Sequence, residues 1–124
     1  MTLYENDLTP AVYNALRESV GWTPHPADRA ATALARSLYT VTARVGDTPI
    51  GMARLVGDGL YMLLVDVAVA PAWQGPVVGR ALVAQPLFWP PRSLPAGARP
   101  TVLLAPSAGK EGFYARFGFR PLPS

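Results

Sequence analysis

The run Leu60-Tyr61-Met62-Leu63-Leu64-Val65-Asp66-Val67-Ala68-Val69, stopped by Ala70-Pro71 and followed by Gln74-Gly75-Pro76-Val77-Val78-Gly79-Arg80, constrains the fold more than any other stretch. Its near-continuous apolar character is too short to cross a bilayer and predicts a strand buried on both faces. After the turn, Val78, Ala81, Leu82 and Gln85 recur at helical spacing, so the order is strand, glycine-bearing turn, helix. A helix entered this way offers backbone N–H groups without intrahelical partners and the positive end of a dipole, which together favour an anion such as phosphate. Plain strand-to-helix punctuation gives the same pattern, so it does not establish a phosphate site on its own. Pro76 contributes no N–H to such a site.

The rest of the chain frames that unit. Thr9-Pro10 caps and opens a helix whose stripe is Val12, Leu16 and Val20, ending at Gly21. After Pro24-His25-Pro26, a second helix is predicted from Ala27, Ala30, Ala31, Leu34 and Leu38. Tyr39, Val41, Ala43 and Val45 alternate with polar residues as a half-buried strand does. Gly46-Asp47 turns into a second strand, Ile50 to Val56, and Gly57-Asp58-Gly59 turns into the apolar run. The helix from Val78 is expected to end or kink near Pro86. Phe88 to Pro100, with prolines at 90, 91, 95 and 100, reads as an irregular loop, Thr101 to Ala105 as a strand, and Glu111 to Phe117 as a short helix ended by Gly118. Arg120-Pro121-Leu122-Pro123-Ser124 has room only for a short edge segment, which leaves a sheet edge open to a second copy of the chain.

Composition removes several alternatives. The 124 residues suffice for one domain, spanning 1–124, with its own core, and 50% hydrophobic against 15% charged residues argues for a compact fold. With no cysteine and one histidine, disulfides, thiolate nucleophiles and a Cys- or His-based metal site are excluded, and no metal is expected. The net charge of +3 comes from singly scattered basic residues, so nucleic acid is not an expected partner. Met1 to Pro10 lacks a basic and then apolar stretch and is expected to be neither signal peptide nor anchor, which excludes a membrane partner and places the protein in the cytoplasm.

Two ordered motifs resemble the GNAT acetyltransferases. Val67-Ala68-Val69-Ala70-Pro71 before Gln74-Gly75-Pro76-Val77-Val78-Gly79 is similar to the family's strand and its Arg/Gln-x-x-Gly-x-Gly/Ala turn, with Val77 where a glycine is usual. Gly112-Phe113-Tyr114-Ala115-Arg116-Phe117-Gly118-Phe119 is similar to its late helix. The resemblance reaches upstream through Ser19-Val20-Gly21-Trp22 and Leu38-Tyr39-Thr40-Val41 and so covers nearly the whole chain. It implies an α+β fold, a mixed and mostly antiparallel sheet flanked by about four helices with a shortened last strand. It also implies transfer of an acetyl group from acetyl-CoA to an amine of a small molecule or peptide.

The candidate residues follow from that resemblance and from their chemistry. Tyr114 is the candidate proton donor to the departing thiolate, since a phenol with an ordinary pKa of about 10 is protonated at neutral pH. Asp66, the one charge in the apolar run, is a candidate for acting as or orienting the general base. The alternative for it is an ion pair with Arg54 on the neighbouring strand. Cofactor contacts are assigned to Val67, Ala68 and Val69 on the strand, to Gln74, Gly75, Val77, Val78, Gly79 and Arg80 at the turn, and to Ser107 and Lys110 further on. Trp22 and His25 are candidates for the acceptor side. The competing reading is a degenerate member that binds CoA or a protein without turnover, motivated by Pro76-Val77, Pro86 and the shortened end.

Overall fold

The computed structural model describes residues 1–88 and 101–104. The meander expected from alternation is present: β2 (Tyr39–Val45), β3 (Thr48–Gly57) and β4 (Tyr61–Val69) pair antiparallel in succession. Asp58 closes the β3–β4 turn, its Oδ1 accepting the N–H groups of Leu60 and Tyr61 at 2.8 Å each. Those amides hold the Asp58 carboxyl below its ordinary pKa. A short strand that alternation did not reveal, β1 (Thr2–Glu5), pairs antiparallel with the outer edge of β2. Its four residues form no pattern of their own, and the open edge of β2 supplies the ladder that holds them. The strand β5 (Thr101–Leu104) runs parallel to β4, giving, among the described residues, a five-stranded mixed sheet of order β1-β2-β3-β4-β5.

Three α-helices cover this sheet among the described residues. α1 (Pro10–Ser19) is capped by Thr9, whose side chain accepts the Val12 N–H, with proline at its first position. α2 (Ala27–Ala35) follows the Pro24-His25-Pro26 segment and stops before Leu38. These two pack Tyr13, Leu16 and Ala30 against Met52 and Ala68 on one face. α3 (Pro76–Phe88) packs Val78, Leu82 and Val83 against Tyr39, Val41, Leu55 and Leu64 on the other. α3 starts two residues before the expected Val78 because proline suits a first helical turn. It passes Pro86 because a proline in the last turn forfeits only the one hydrogen bond to the Leu82 carbonyl. Among the described residues no helix is long and apolar enough to cross a membrane. The expected late helix, Gly118 cap and shortened end lie outside the described residues, as does the loop at 89–100.

One expectation is corrected. The first half of β4 is not buried on both faces: Met62 and Leu64 are buried, whereas Tyr61 is 66% and Leu63 is 37% exposed. α1 and α2 cover their face only near Met52 and Ala68, so among the described residues the stretch carrying Tyr61 and Leu63 has no helix over it.

Candidate active site

The apolar strand changes character at its middle. Arg54 pairs with Val65 and Met52 with Ala68, so β4 spends three steps where β3 spends two, and an extra residue bulges out of β4. The bulge sits at Asp66, whose φ of 55° lies in the left-handed region that Asp tolerates better than most side chains. It shifts the side-chain parity. Leu64 before it and Val67 and Val69 after it all pack toward α3, while Ala68 packs toward α1.

The carboxylate of Asp66 turns toward α1 and β3. Its Oδ2 accepts the Tyr13 hydroxyl at 2.8 Å and Arg54 Nε at 3.1 Å, and its Oδ1 accepts Arg17 Nη1 at 3.1 Å. The expected Arg54 pair is therefore present and is joined by a second guanidinium, with all three charged side chains only 13–14% exposed. Arg54 Nη1 also donates to the Ala33 carbonyl and the Ser37 hydroxyl. Arg17 Nε donates to the Thr23 carbonyl, and its guanidinium lies over the rings of Tyr13 and Trp22. Burial, and then the hydrogen bond and negative charge of Asp66, push the Tyr13 pKa above its ordinary value.

Both acceptor-side candidates adjoin this cluster. Trp22 is half-buried beneath Arg17, and the exposed His25 ring stacks on Tyr13 with centroids 6.2 Å apart. The His25 N–H and carbonyl are both held by the Asn14 side chain. Tyr13 and Arg17 were not singled out from sequence. Their spacing of one helical turn puts both on one face of α1, but nothing local says that this face meets Asp66.

The second component is the passage from β4 to α3. A 3-10 turn, Pro71–Trp73, leads to Gln74, whose Nε2 donates to the Val69 carbonyl at 3.1 Å and ties the turn to the strand end. Gly75 then takes φ 144°, and a side chain there would meet no atom within 4 Å. With α3 opening at Pro76, the N–H groups of Gly75, Val77 and Val78 precede the first helical acceptor. Gln74, Gly75, Val77 and Arg80 are exposed, Val77 at 70%, while Val78 and Gly79 are buried at the contact with the sheet. The described pairing of β5 with β4 runs from Tyr61 to Leu64 and stops below Val67. Among the described residues, a helix entrance with unpaired N–H groups and a strand segment paired only on its β3 side thus meet at Val69. A strand edge can pair with amides, and free N–H groups at a helix entrance can donate to an anion.

Tyr114, Ser107 and Lys110 lie outside the described residues. Among the described residues, no three His, Cys, Asp or Glu are grouped as a metal site would require. A cleft of about 420 Å³ between Asn6–Pro10 and α2 is lined by none of residues 66–80 and adjoins the cluster only through Ser37, the partner of Arg54.

Comparison with known proteins gives the family and supports the fold. The family model described as an acetyltransferase (GNAT) domain matches residues 36–121. The chain is 34% identical over 109 residues to an uncharacterised ycf52-like N-acetyltransferase of Prochlorococcus marinus, covering 84% of this chain and 58% of that protein's length. It is similar to a solved probable acetyltransferase of unknown function from meticillin-resistant Staphylococcus aureus, with TM-score 0.84 and 29% identity over 97% of this chain and 90% of that one. A GNAT-family acetyltransferase from Streptococcus pneumoniae gives TM-score 0.76 and 28% identity over 96% and 86%.

Proposed function

Because the chain belongs to the GNAT acetyltransferase family, we propose that it is an N-acetyltransferase that takes acetyl groups from acetyl-CoA and passes them to a primary amine of a small molecule or peptide. The observation that carries this reading is the junction at Val69, where, among the described residues, a segment of β4 paired only with β3 runs into a helix entrance with free amides. Acetyl-CoA supplies the acyl group already activated as a thioester.

In this reading the N–H groups of Gly75, Val77 and Val78 receive the pyrophosphate, with Gln74, Gly79 and Arg80 shaping the entrance. The backbone of Val67, Ala68 and Val69 pairs with the amides of the pantetheine arm, and Ser107 and Lys110 touch the cofactor from the later segment. Trp22 and His25 line the acceptor side. The acceptor nitrogen attacks the thioester carbon, the carbon–sulfur bond breaks, and the Tyr114 hydroxyl gives its proton to the departing sulfur. The proton lost by the attacking nitrogen passes to water and, through it, restores the Tyr114 hydroxyl. Asp66, with both oxygens already engaged by three donors, orients rather than carries that proton. No acyl-enzyme thioester forms, since the chain has no cysteine.

Calorimetric titration with CoA tests the binding part. Saturable heat is expected, and none at millimolar CoA would overturn the reading. Turnover of acetyl-CoA with a panel of amines tests the chemistry. Tyr114→Phe is expected to lower turnover about tenfold to a thousandfold while CoA affinity changes little. CoA binding with no turnover across the panel would favour a non-catalytic binding module instead.

A further inference from the structure

The cluster around Asp66 is more elaborate than an acetyl transfer site needs for its charges. Two segments reach the bulge side chain directly, α1 through Tyr13 and Arg17 and β3 through Arg54, and two more brace those arginines: Ala33 of α2 and Ser37 just after it hold Arg54, while Thr23 and Trp22 of the α1–α2 connection contact Arg17. Such partly buried charge groups add little net stability over well-packed apolar side chains, because desolvation offsets their attraction. What they supply is geometry. Arg17 and Arg54 each give Asp66 one charge-assisted hydrogen bond and spend a second nitrogen on another segment, so with the Tyr13 hydroxyl three directed donors fix the carboxylate more narrowly than apolar contacts fix a methyl group.

The position being fixed matters. Asp66 carries a left-handed backbone inside a strand, which an L residue leaves readily unless its surroundings hold it there. If the bulge relaxed to regular pleating, the parity beyond it would invert and Val67 and Val69 would turn from the α3 face to the α1 face. Their N–H and C=O groups would rotate with them.

We propose that Tyr13, Arg17 and Arg54 are positioning residues for acetyl transfer, holding the bulge through Asp66 and thereby aiming the backbone of Val67–Val69 at the acyl arm. This rests on the reading above that the arm lies along those residues. Tyr13 and Arg17 belong to the helix that leads into Trp22 and His25, so the same clamp ties the acceptor side to the cofactor side.

The test uses the full chain with Tyr13→Phe, which keeps the ring, and Arg17→Met, which keeps the stem. Three measurements are made on each: calorimetric CoA affinity, amide exchange at Val67 to Val69 without ligand, and the KM for acetyl-CoA beside the KM for the acceptor. Each variant is expected to weaken CoA binding about tenfold, to raise exchange at Val67–Val69 at least tenfold above that of β2, and to raise the KM for acetyl-CoA more than that for the acceptor. Arg17→Lys, which retains one donor, is expected to recover part of each effect. A general loss of stability would speed exchange in β2 and β4 alike and leave affinity per folded molecule unchanged. That outcome overturns the proposal, as does wild-type CoA affinity in both variants. Wild-type protein that binds no CoA would overturn the functional reading itself and the positioning role with it, a result distinct from binding that is insensitive to the clamp.

Discussion

At the scale of single residues, two polar groups in the described sheet stand in contrast, one answered and one not. The Asp66 carboxylate sits in an otherwise apolar strand, and Tyr13, Arg17 and Arg54 satisfy it. Thr42, fully buried in the middle of β2, is the contrast: its hydroxyl has no hydrogen-bond partner among the described residues. A buried hydroxyl without a partner costs about 1–3 kcal/mol of desolvation, and valine has nearly the same shape without that cost. Thr42→Val is therefore expected to raise the unfolding free energy by about 1 kcal/mol, read as a higher urea midpoint at unchanged slope. A lower midpoint would mean that the hydroxyl is answered by a group the geometry does not reveal.

At the scale of elements, the seating of α3 on the sheet depends on what is missing from β3. A side chain at Gly51 would begin 2.7 Å from Leu82 Cδ1 and 3.1 Å from the Ala68 carbonyl oxygen. Leu82 could swing aside, but the carbonyl belongs to β4 and cannot, so α3 and the ladder would both be strained. Gly51→Ala is expected to cost about 1–3 kcal/mol, measured by urea denaturation. Because α3 carries the free amides at its first turn, the same substitution is expected to weaken CoA binding as well. Unchanged stability would show that the helix can ride outward without penalty.

For the molecule as a whole, the response to alkaline pH is set by tyrosines inside the fold. Burial, and then the negative charge and hydrogen bond of Glu5, push Tyr39 up to about 12, and Tyr13 is also raised. A pKa raised in the folded state means that this contribution is whole below the unfolded value of about 10 and is lost as pH climbs toward 12. The urea midpoint is expected to fall between pH 10 and 12, and less steeply in Tyr39→Phe; parallel profiles would remove Tyr39 as a cause. Other features of the whole were legible before any coordinates. The meander, the helix pair with its Thr9-Pro10 entry and the passage through Gly75 into α3 all came from period, capping and turn chemistry, which are properties of neighbouring residues. So did the pair between Asp66 and Arg54, because adjacent antiparallel strands bring such residues together. Tertiary structure alone decided the rest. Tyr13 and Arg17 lie 53 and 49 residues from Asp66 along the chain, and no local pattern encodes which helix face will meet which strand. The bulge that turns Asp66 toward them, the strand at Thr2–Glu5 and the exposed face at Tyr61 and Leu63 share that origin. Each depends on what a neighbouring element covers or pairs with, and that is settled only when the layers pack.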